Sequence, residues 1–399
     1  MSLKKPPLPS KTTAQDLPEP GPEARAHSQA TLARIKDMIE QSGGKISFQD
    51  FMQTVLFEPG LGYYRCGTEK FGQLGDFITA PESSPLFGQC LAKFIQQLKT
   101  LGHVMEVGAG SGQLAVTILK RLDEQAALPD RYYILELSSE LRERQRLNIQ
   151  QALPGYIENV IWLDNLPEKF KGVVIANELL DAMPVTRFKL DGKQVFEEYV
   201  VWSGEKLDYT YEVSRNQRLL TRINELVQQT SIDEAELYHS EVNFMAEDWI
   251  KSLAEHMESG VALIIDYGYP RNGYYHAQRY MGTLMCHYQH RAHPDPLLLP
   301  GIQDITAHID FTAMADAALE SGLGVVGFAS QAHFLLNIGL LSLIDPEQQN
   351  LPDYLKASGE VKRLTLPGEM GESFKVMAFS KNYDGDVIGF EQHDIRHLL

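Results

Sequence analysis

Short apolar runs alternate with stretches of helical periodicity through the middle of the chain. After the first of these runs, Ala115, Ile118, Leu119 and Leu122 fall at i, i+3, i+4 and i+7, which is the spacing of one face of a helix. Continuous apolar strands separated by helices predict a parallel sheet that is covered on both faces. The predicted strands lie at 104–107, 132–135, 159–163, 173–176, 261–265, 325–328 and 374–379.

A segment of a different kind interrupts this order from residue 184 onward. Apolar and polar residues alternate there with period two, and turn signals at Asp191-Gly192 and Ser203-Gly204 separate the runs. This pattern predicts an antiparallel meander. Helical patterns at 214–229 and 240–258 follow the meander, so we interpret residues 184–258 as an insertion in an α/β fold.

The flanking segments differ from this core in composition. The first 25 residues are rich in proline and poor in apolar positions, which predicts disorder. Helical patterns then start near Ser28, Ser47 and Ser84, and we expect a long polar loop at 271–304. The predicted division of the chain is a disordered N-terminus at 1–25, a helical N-terminal segment at 26–100, an α/β domain at 101–380 and a C-terminal tail at 381–399.

Alternating glycines follow the first predicted strand. Gly108, Gly110 and Gly112 permit a tight turn and let a ligand approach bare backbone. With Glu106 before them and Ala109 between the first two, they form the pattern E-x-G-x-G-x-G. The stretch lacks the third glycine of the dinucleotide fingerprint and the Lys-Ser/Thr ending of a P-loop. The pattern is typical of methyltransferases that use S-adenosyl-L-methionine (SAM).

Acidic residues stand directly after the next two strands. Glu136 ends the second strand and is followed by Leu137, and Asp164 ends the third. Ligands of open parallel sheets bind outside the carboxyl ends of the strands. Glu136 could therefore accept hydrogen bonds from the ribose hydroxyls of an adenosine, and Asp164 from the adenine amino group. Alternatively, Glu136 is only an acid at a helix N-terminus and Asp164 only part of a turn.

The fourth strand ends in Asn177-Glu-Leu-Leu-Asp181, which is the catalytic candidate. Methyl transfer from a sulfonium is an in-line displacement, so the site must align the acceptor and remove its proton where needed. One or two carboxylates would hold a planar guanidinium acceptor bidentately. Glu178 and Asp181 could share one face of a helix. The alternative is that Asn177 or Glu178 only begins that helix.

Composition narrows the classes of partner. The net charge of −17 and the pI near 5.2 argue against nucleic-acid binding through a basic surface, but are compatible with a basic substrate such as an arginine-bearing protein. No apolar run approaches the roughly 18–20 residues of a membrane span. Cys66, Cys90 and Cys286 have no disulfide-framework or zinc spacing, so we expect no metal. The N-terminus has no apolar signal core, and a cytoplasmic location is expected.

Several longer motifs resemble those of one family, the MidA-like proteins. This family comprises SAM-dependent methyltransferases and includes the mitochondrial protein arginine methyltransferases that act in complex I assembly. The resemblance covers roughly residues 30 to 380. The motifs are Gly60-Leu-Gly-Tyr-Tyr64, Gly75-Asp-Phe-Ile-Thr-Ala-Pro-Glu82, Glu106-Val-Gly-Ala-Gly-Ser-Gly112, Asn177-Glu-Leu-Leu-Asp-Ala-Met-Pro184, Ile265-Asp-Tyr-Gly268, Asp304-Ile-Thr-Ala-His-Ile-Asp-Phe311 and Gly371-Glu-Ser-Phe-Lys375.

The resemblance implies a class I methyltransferase fold with a Rossmann-like, seven-stranded, mostly parallel sheet. It also implies SAM as cofactor and an arginine of a partner protein as acceptor. By analogy, Asp76 and Glu82 belong to a segment that covers the mouth of the site, and Asp266 and Tyr267 are further substrate candidates. Two alternatives share the fold and the cofactor: a SAM-binding assembly factor with vestigial catalysis, and a small-molecule methyltransferase.

Overall fold

A computed structural model describes residues 17–65, 79–98, 101–344 and 350–399 of the chain. Most of the predicted disordered tail lies outside these ranges. The helix predicted from Ser28 begins earlier, at Pro22, because a proline in the first helical turn needs no partner for an amide hydrogen. In the described residues, no helix is both long enough and apolar enough to cross a membrane.

The N-terminal segment is helical, as its caps predict. Its elements are α1 (Pro22–Gln41), β1 (Lys45–Ser47), α2 (Phe48–Phe57), α3 (Ala80–Ser83) and α4 (Pro85–Gln97). The Ser47 hydroxyl accepts the amide hydrogen of Asp50, 3.0 Å away, and so caps α2. Ser84 caps α4 in the same way through the amide of Leu86, at 3.1 Å.

The first half of the central sheet follows the predicted apolar runs. Its elements are β2 (His103–Val107), α5 (Gln113–Glu124), β3 (Arg131–Leu135), α6 (Ser139–Ala152), β4 (Val160–Leu163) and β5 (Phe170–Asn177). Alternate residues of these strands face two separate cores. Val104 packs with the apolar residues of α4 and α5, whereas Met105 faces the opposite layer. Each fully buried side chain of this size stabilises the fold by about 1.5–3 kcal/mol.

The insertion is a sheet with helices, and one prediction within it is wrong. Its elements are β6 (Thr186–Asp191), β7 (Gln194–Ser203), β8 (Lys206–Val213), α7 (Gln217–Gln229), β9 (Leu237–Val242) and α8 (Phe244–His256). The stretch 240–258 is not one helix, because its first residues belong to β9, which pairs with β6. The sheet also takes in β1, which pairs antiparallel with β7. The N-terminal segment and the insertion therefore share one sheet.

The remaining elements complete the central sheet and add a small one. They are β10 (Met257–Tyr269), α9 (Arg271–Tyr274), β11 (Met285–Tyr288), β12 (Arg291–His293), β13 (Asp304–Thr306), β14 (Ile309–Asp310), α10 (Phe311–Glu320), β15 (Gly324–Ser330), α11 (Gln331–Ile338), α12 (Leu351–Thr365), α13 (Met370–Ser373) and β16 (Phe374–Lys381). The predicted loop at 271–304 is thus partly wrong, because β12, β11 and β13 form a three-stranded sheet.

The order of the central sheet in the described residues is β15-β16-β10-β5-β2-β3-β4. Strands β10, β5, β2, β3 and β4 are parallel, and β16 runs antiparallel to both of its neighbours. This order confirms the predicted seven-stranded, mostly parallel sheet, to which the two-residue β14 adds a bridge at β10. From β2 the chain continues to β3 and β4 on one side of β2, and it then crosses to β5 on the other side. The switch point, where ligands bind in such sheets, lies between the carboxyl ends of β2 and β5.

Candidate functional site

A cavity of about 670 Å³ opens at this switch point. Residues after β2, β3, β4 and β5 line it, together with residues of the N-terminal segment and of the small sheet. The predicted candidates that line it are Glu82, Gly108, Gly110, Glu136, Leu137, Asp164, Asn177, Glu178, Asp181 and Tyr267. The cavity thus brings together most of the residues that the sequence analysis selects.

The glycine loop requires glycine for two reasons: the conformation of its backbone and the limited space around it. Gly108, Gly110 and Gly112 have φ of +71°, +53° and +83°, the left-handed region that favours glycine. A Cβ at Gly108 would lie 3.2 Å from Leu179 Cδ1. Ala109 is buried in the core beside this loop rather than lining the cavity. The loop therefore presents bare backbone to the cavity.

Glu106 does not line the cavity. It is buried on β2 and accepts a hydrogen bond from the Tyr132 hydroxyl at 2.7 Å. Burial raises the pKa of Glu106 to about 7. The first acid of the glycine motif is therefore held inside the fold, behind the loop.

The acids after β3 and β4 occupy different surroundings. Glu136 is buried and accepts the amide hydrogen of Ser138 at 2.9 Å, and burial raises the pKa of Glu136. Leu137 is exposed at the rim of the cavity. Asp164 is also at the rim, where it accepts a hydrogen bond from Arg142 at 2.7 Å. Glu136 thus offers an enclosed carboxylate for a ligand, and Asp164 an exposed one.

The segment after β5 is a turn and not the start of a helix. Glu178 has φ of +51°, a conformation that costs a non-glycine residue of order 1–3 kcal/mol. Its amide donates to the carbonyl of Ile265 at 2.9 Å, and its carboxyl accepts from Asn177 Nδ2 at 3.2 Å. Glu178 and Asp181 therefore reach the same cavity through this turn, and the predicted shared helical face is wrong.

Asp266 supports the turn from beneath. It is fully buried and does not line the cavity. Its Oδ2 accepts the amide hydrogens of Leu180 and Asp181 at 2.9 and 3.2 Å, and its Oδ1 accepts that of Tyr267 at 2.8 Å. A buried carboxyl with three backbone donors fixes the position of the turn.

Further residues that the sequence analysis did not select also reach the cavity. Among them are Tyr64 and Arg65 from the N-terminal segment, His287 from β11 and Asp304 from β13. Asp304 is 1% exposed, and the Tyr64 hydroxyl donates to its Oδ1 at 2.8 Å. Tyr64 and Asp304 belong to two of the family motifs, and this is the feature of the sequence that could have identified them as site residues. The helical and strand patterns give no indication that these segments meet.

The carboxyls at the cavity raise one another's pKa. Burial, and then the negative charge of Asp266, raise the pKa of Glu178 to about 8. Burial and the neighbouring Asp266, Glu178 and Asp304 raise the pKa of Asp181 well above its usual range. The cavity therefore holds several carboxyls whose charged forms a bound cation would stabilise. Among the described residues, no group of three or more His, Cys, Asp or Glu could hold a metal ion.

In the described residues, a hydrogen bond joins the N-terminal segment to the glycine loop. The Ser111 hydroxyl donates to the carboxyl of Glu82, which also lines the cavity. Asp76, the other candidate of that segment, lies outside the described residues. Glu82 thus stands beside the loop and lines the cavity.

This arrangement fits an adenosine-bearing cofactor with a sulfonium amino acid. Gly108 and Gly110 line the cavity without side chains, so a ligand can touch the backbone of the loop, and Glu136 can accept from ribose hydroxyls. The cavity is large enough for a cofactor and part of an acceptor. Fold and site together define a methyltransferase that depends on SAM.

Comparisons with known proteins agree with this class. A family model described as "Putative S-adenosyl-L-methionine-dependent methyltransferase" matches residues 86–329. A crystal structure from Burkholderia thailandensis, bound to S-adenosyl-homocysteine, is 41% identical with a TM-score of 0.90, over 96% of this chain and all of that one.

Curated relatives are more distant in sequence. The protein arginine methyltransferase NDUFAF7 homolog of Drosophila melanogaster is 29% identical, over 92% of this chain and 89% of its own. The human protein arginine methyltransferase NDUFAF7 is 28% identical, over 85% of this chain and 80% of its own. Both are named as mitochondrial. The chain belongs to the MidA-like family of SAM-dependent methyltransferases.

Proposed function

We propose that this protein methylates a nitrogen of an arginine side chain in a partner protein. The observation that carries the proposal is the group of Glu178, Asp181 and Asp304, three carboxyls that line one cavity beside the glycine loop. Two relatives that span most of the chain are named as protein arginine methyltransferases, which supports the same acceptor.

The carboxyls are suited to a guanidinium because three of them line the same cavity. Glu178 accepts from the side chain of Asn177 and Asp304 from the hydroxyl of Tyr64. A planar cation with several N–H groups can pair with more than one carboxylate, and such pairing favours the charged form of each.

We assign Glu178 and Asp181 to hold the acceptor and to take up its proton. SAM, when bound, supplies an electrophilic methyl group on sulfur. The guanidinium must lose one proton as its nitrogen gains the methyl group, and a carboxylate accepts that proton. Glu178 is suited to this step, because a bound guanidinium would favour the charged form of a carboxyl whose pKa is otherwise raised by burial to about 8.

The test is transfer of labelled methyl groups into protein. Purified protein and SAM with a tritiated methyl group are added to a lysate of cells that lack this gene, and labelled proteins are hydrolysed to amino acids. We expect label in methylarginine, and about a hundredfold less with Glu178→Gln, since loss of an acid–base group typically costs 10²–10⁴.

Calorimetry with S-adenosyl-homocysteine is the control, and Glu178→Gln should bind it like the natural protein. Tight binding without any protein label would favour the SAM-binding assembly factor. Label that remains in small molecules would favour the small-molecule methyltransferase. A role at respiratory complex I and the cytoplasmic location stay predictions.

A further inference from the structure

One face of α6 carries three polar side chains that reach the site from behind. They are Arg142, Gln145 and Asn148, which share a face because they are three residues apart. Arg142 donates to the carbonyl oxygens of Glu136 and Leu163, at 2.6 and 2.7 Å. Asn148 donates to the carbonyl of Ser111 at 3.0 Å. The helix therefore contacts the ends of β3 and β4 as well as the glycine loop.

Gln145, the middle residue of this face, joins three segments. It is 0% exposed. Its Nε2 donates to the carbonyl of Gly110 at 2.9 Å and to Glu136 Oε2 at 3.2 Å, and its Oε1 accepts from the Trp162 indole at 2.9 Å. An indole N–H can only donate, and a carbonyl or carboxylate can only accept. One orientation of the amide satisfies all three partners, so its neighbours fix it.

We propose that Gln145 is a positioning residue of the cofactor site. Its side chain holds the backbone carbonyl of Gly110 and the carboxylate of Glu136 in the arrangement that receives the nucleoside. The proposal rests on placing the ribose at Glu136. It does not depend on the nature of the acceptor.

The bond from Gln145 also favours the charged form of Glu136. Burial raises the pKa of Glu136, whereas the donors at Ser138 and Gln145 lower it. Two charged groups also face this carboxyl, Arg142 from α6 and Glu106 from β2. Without the Gln145 donor, the pKa of Glu136 would rise further, and a protonated carboxyl is a poorer acceptor for hydroxyls.

Calorimetry with S-adenosyl-homocysteine tests the proposal on the full chain. Gln145→Leu keeps nearly the same volume and removes the donors, and we expect about tenfold to a hundredfold weaker binding, since hydrogen bonds to charged groups contribute on that scale. The loss relative to the natural protein should be larger near pH 6 than near pH 8. The matched control is Ile149→Ala on the same helix. This variant leaves a cavity in the core but removes none of these hydrogen bonds, so it should bind like the natural protein.

A double-mutant cycle separates positioning from general damage. If Gln145 acts through Glu136, Gln145→Leu should cost severalfold less affinity in a Glu136→Gln background than in the natural protein. Equal costs in both backgrounds, or a loss no larger than that of Ile149→Ala, would overturn the proposal. Should Gln145→Leu fail to fold, Trp162→Phe, which frees the amide to rotate, is measured by the same criteria.

Discussion

Glu178 has surroundings that an ordinary carboxyl does not prefer. It has a left-handed backbone, burial raises its pKa, and other acids lie around it. Each of these features lowers stability, and the proposed binding of a cation would offset the effects of burial and of the neighbouring acids. Strain of this kind is typical of functional sites.

The raised pKa of Glu178 gives a prediction for stability against pH. The folded-state value is about 8 and the ordinary value about 4.5, so the folded protein binds the extra proton between these two values. The contribution of Glu178 to stability is therefore present at low pH and is lost as the pH rises through 8. Glu178→Gln does not titrate at this position, so its melting temperature should rise relative to that of the natural protein from pH 5 to pH 8, and the difference should then level off.

Thermal unfolding of both proteins across that range is the measurement. Asp181 and Asp266 titrate in both proteins, so the difference between the two curves reports on Glu178 together with its effect on the pKa of these neighbours. A difference that stays constant with pH would contradict the assigned pKa.

At the scale of elements, the glycine loop combines two separate requirements. Gly112 has φ of +83°, and a Cβ there would lie 3.1 Å from the backbone of Gln145. Gly192, in the turn between β6 and β7, has φ of +58° with nothing within 4 Å of such a Cβ. The two positions therefore separate backbone strain from crowding.

Gly112→Ala should weaken binding of S-adenosyl-homocysteine and lower stability by about 1–2 kcal/mol or more, because it adds crowding to left-handed strain. Gly192→Ala carries only the strain, so its stability should fall by about 1–2 kcal/mol while binding is unchanged. Calorimetry and denaturant unfolding of both variants check this. Equal effects on binding would show that the loop is not tied to the site through its neighbours.

The same scale shows which elements a sequence can reveal. The strands of the central sheet are predictable because they are buried on both faces, which leaves a continuous apolar run. β9 could not be predicted, because it has only six residues and lies directly before the capped helix α8. So short a strand carries too little alternation to be distinguished from the start of that helix. β1 and β11 to β13 are short, and only their distant partners define them as strands.

The site follows the same division. Glu136, Asp164 and Glu178 were predictable because the ends of parallel strands meet at one edge. Tyr64, Asp304 and Gln145 come from segments that reach the site only through tertiary packing, so local pattern alone could not select them.

At the scale of the whole molecule, the net charge of −17 should attract a basic partner. Such attraction is screened by salt, since the Debye length falls from about 14 Å at 0.05 M to about 4 Å at 0.5 M. The KM for a basic arginine-containing peptide should therefore rise by about tenfold between these concentrations. The Kd for uncharged adenosine, measured in parallel, should barely change, and a salt-independent peptide KM would contradict long-range attraction.

The pairing of β1 with β7 has a consequence for synthesis. Lys45 lies opposite Val201, and the difference between these positions is 156 residues. At about 5–20 residues per second, the ribosome needs roughly 8–30 s to make the partner strand. During that interval Ile35 and Phe51, which are buried in the folded protein, lack the residues of β7 and β8 that later pack against them. The N-terminal segment is therefore synthesised well before it can pack against its partner strand. Until then its apolar face is exposed, and a chaperone of nascent chains could bind there.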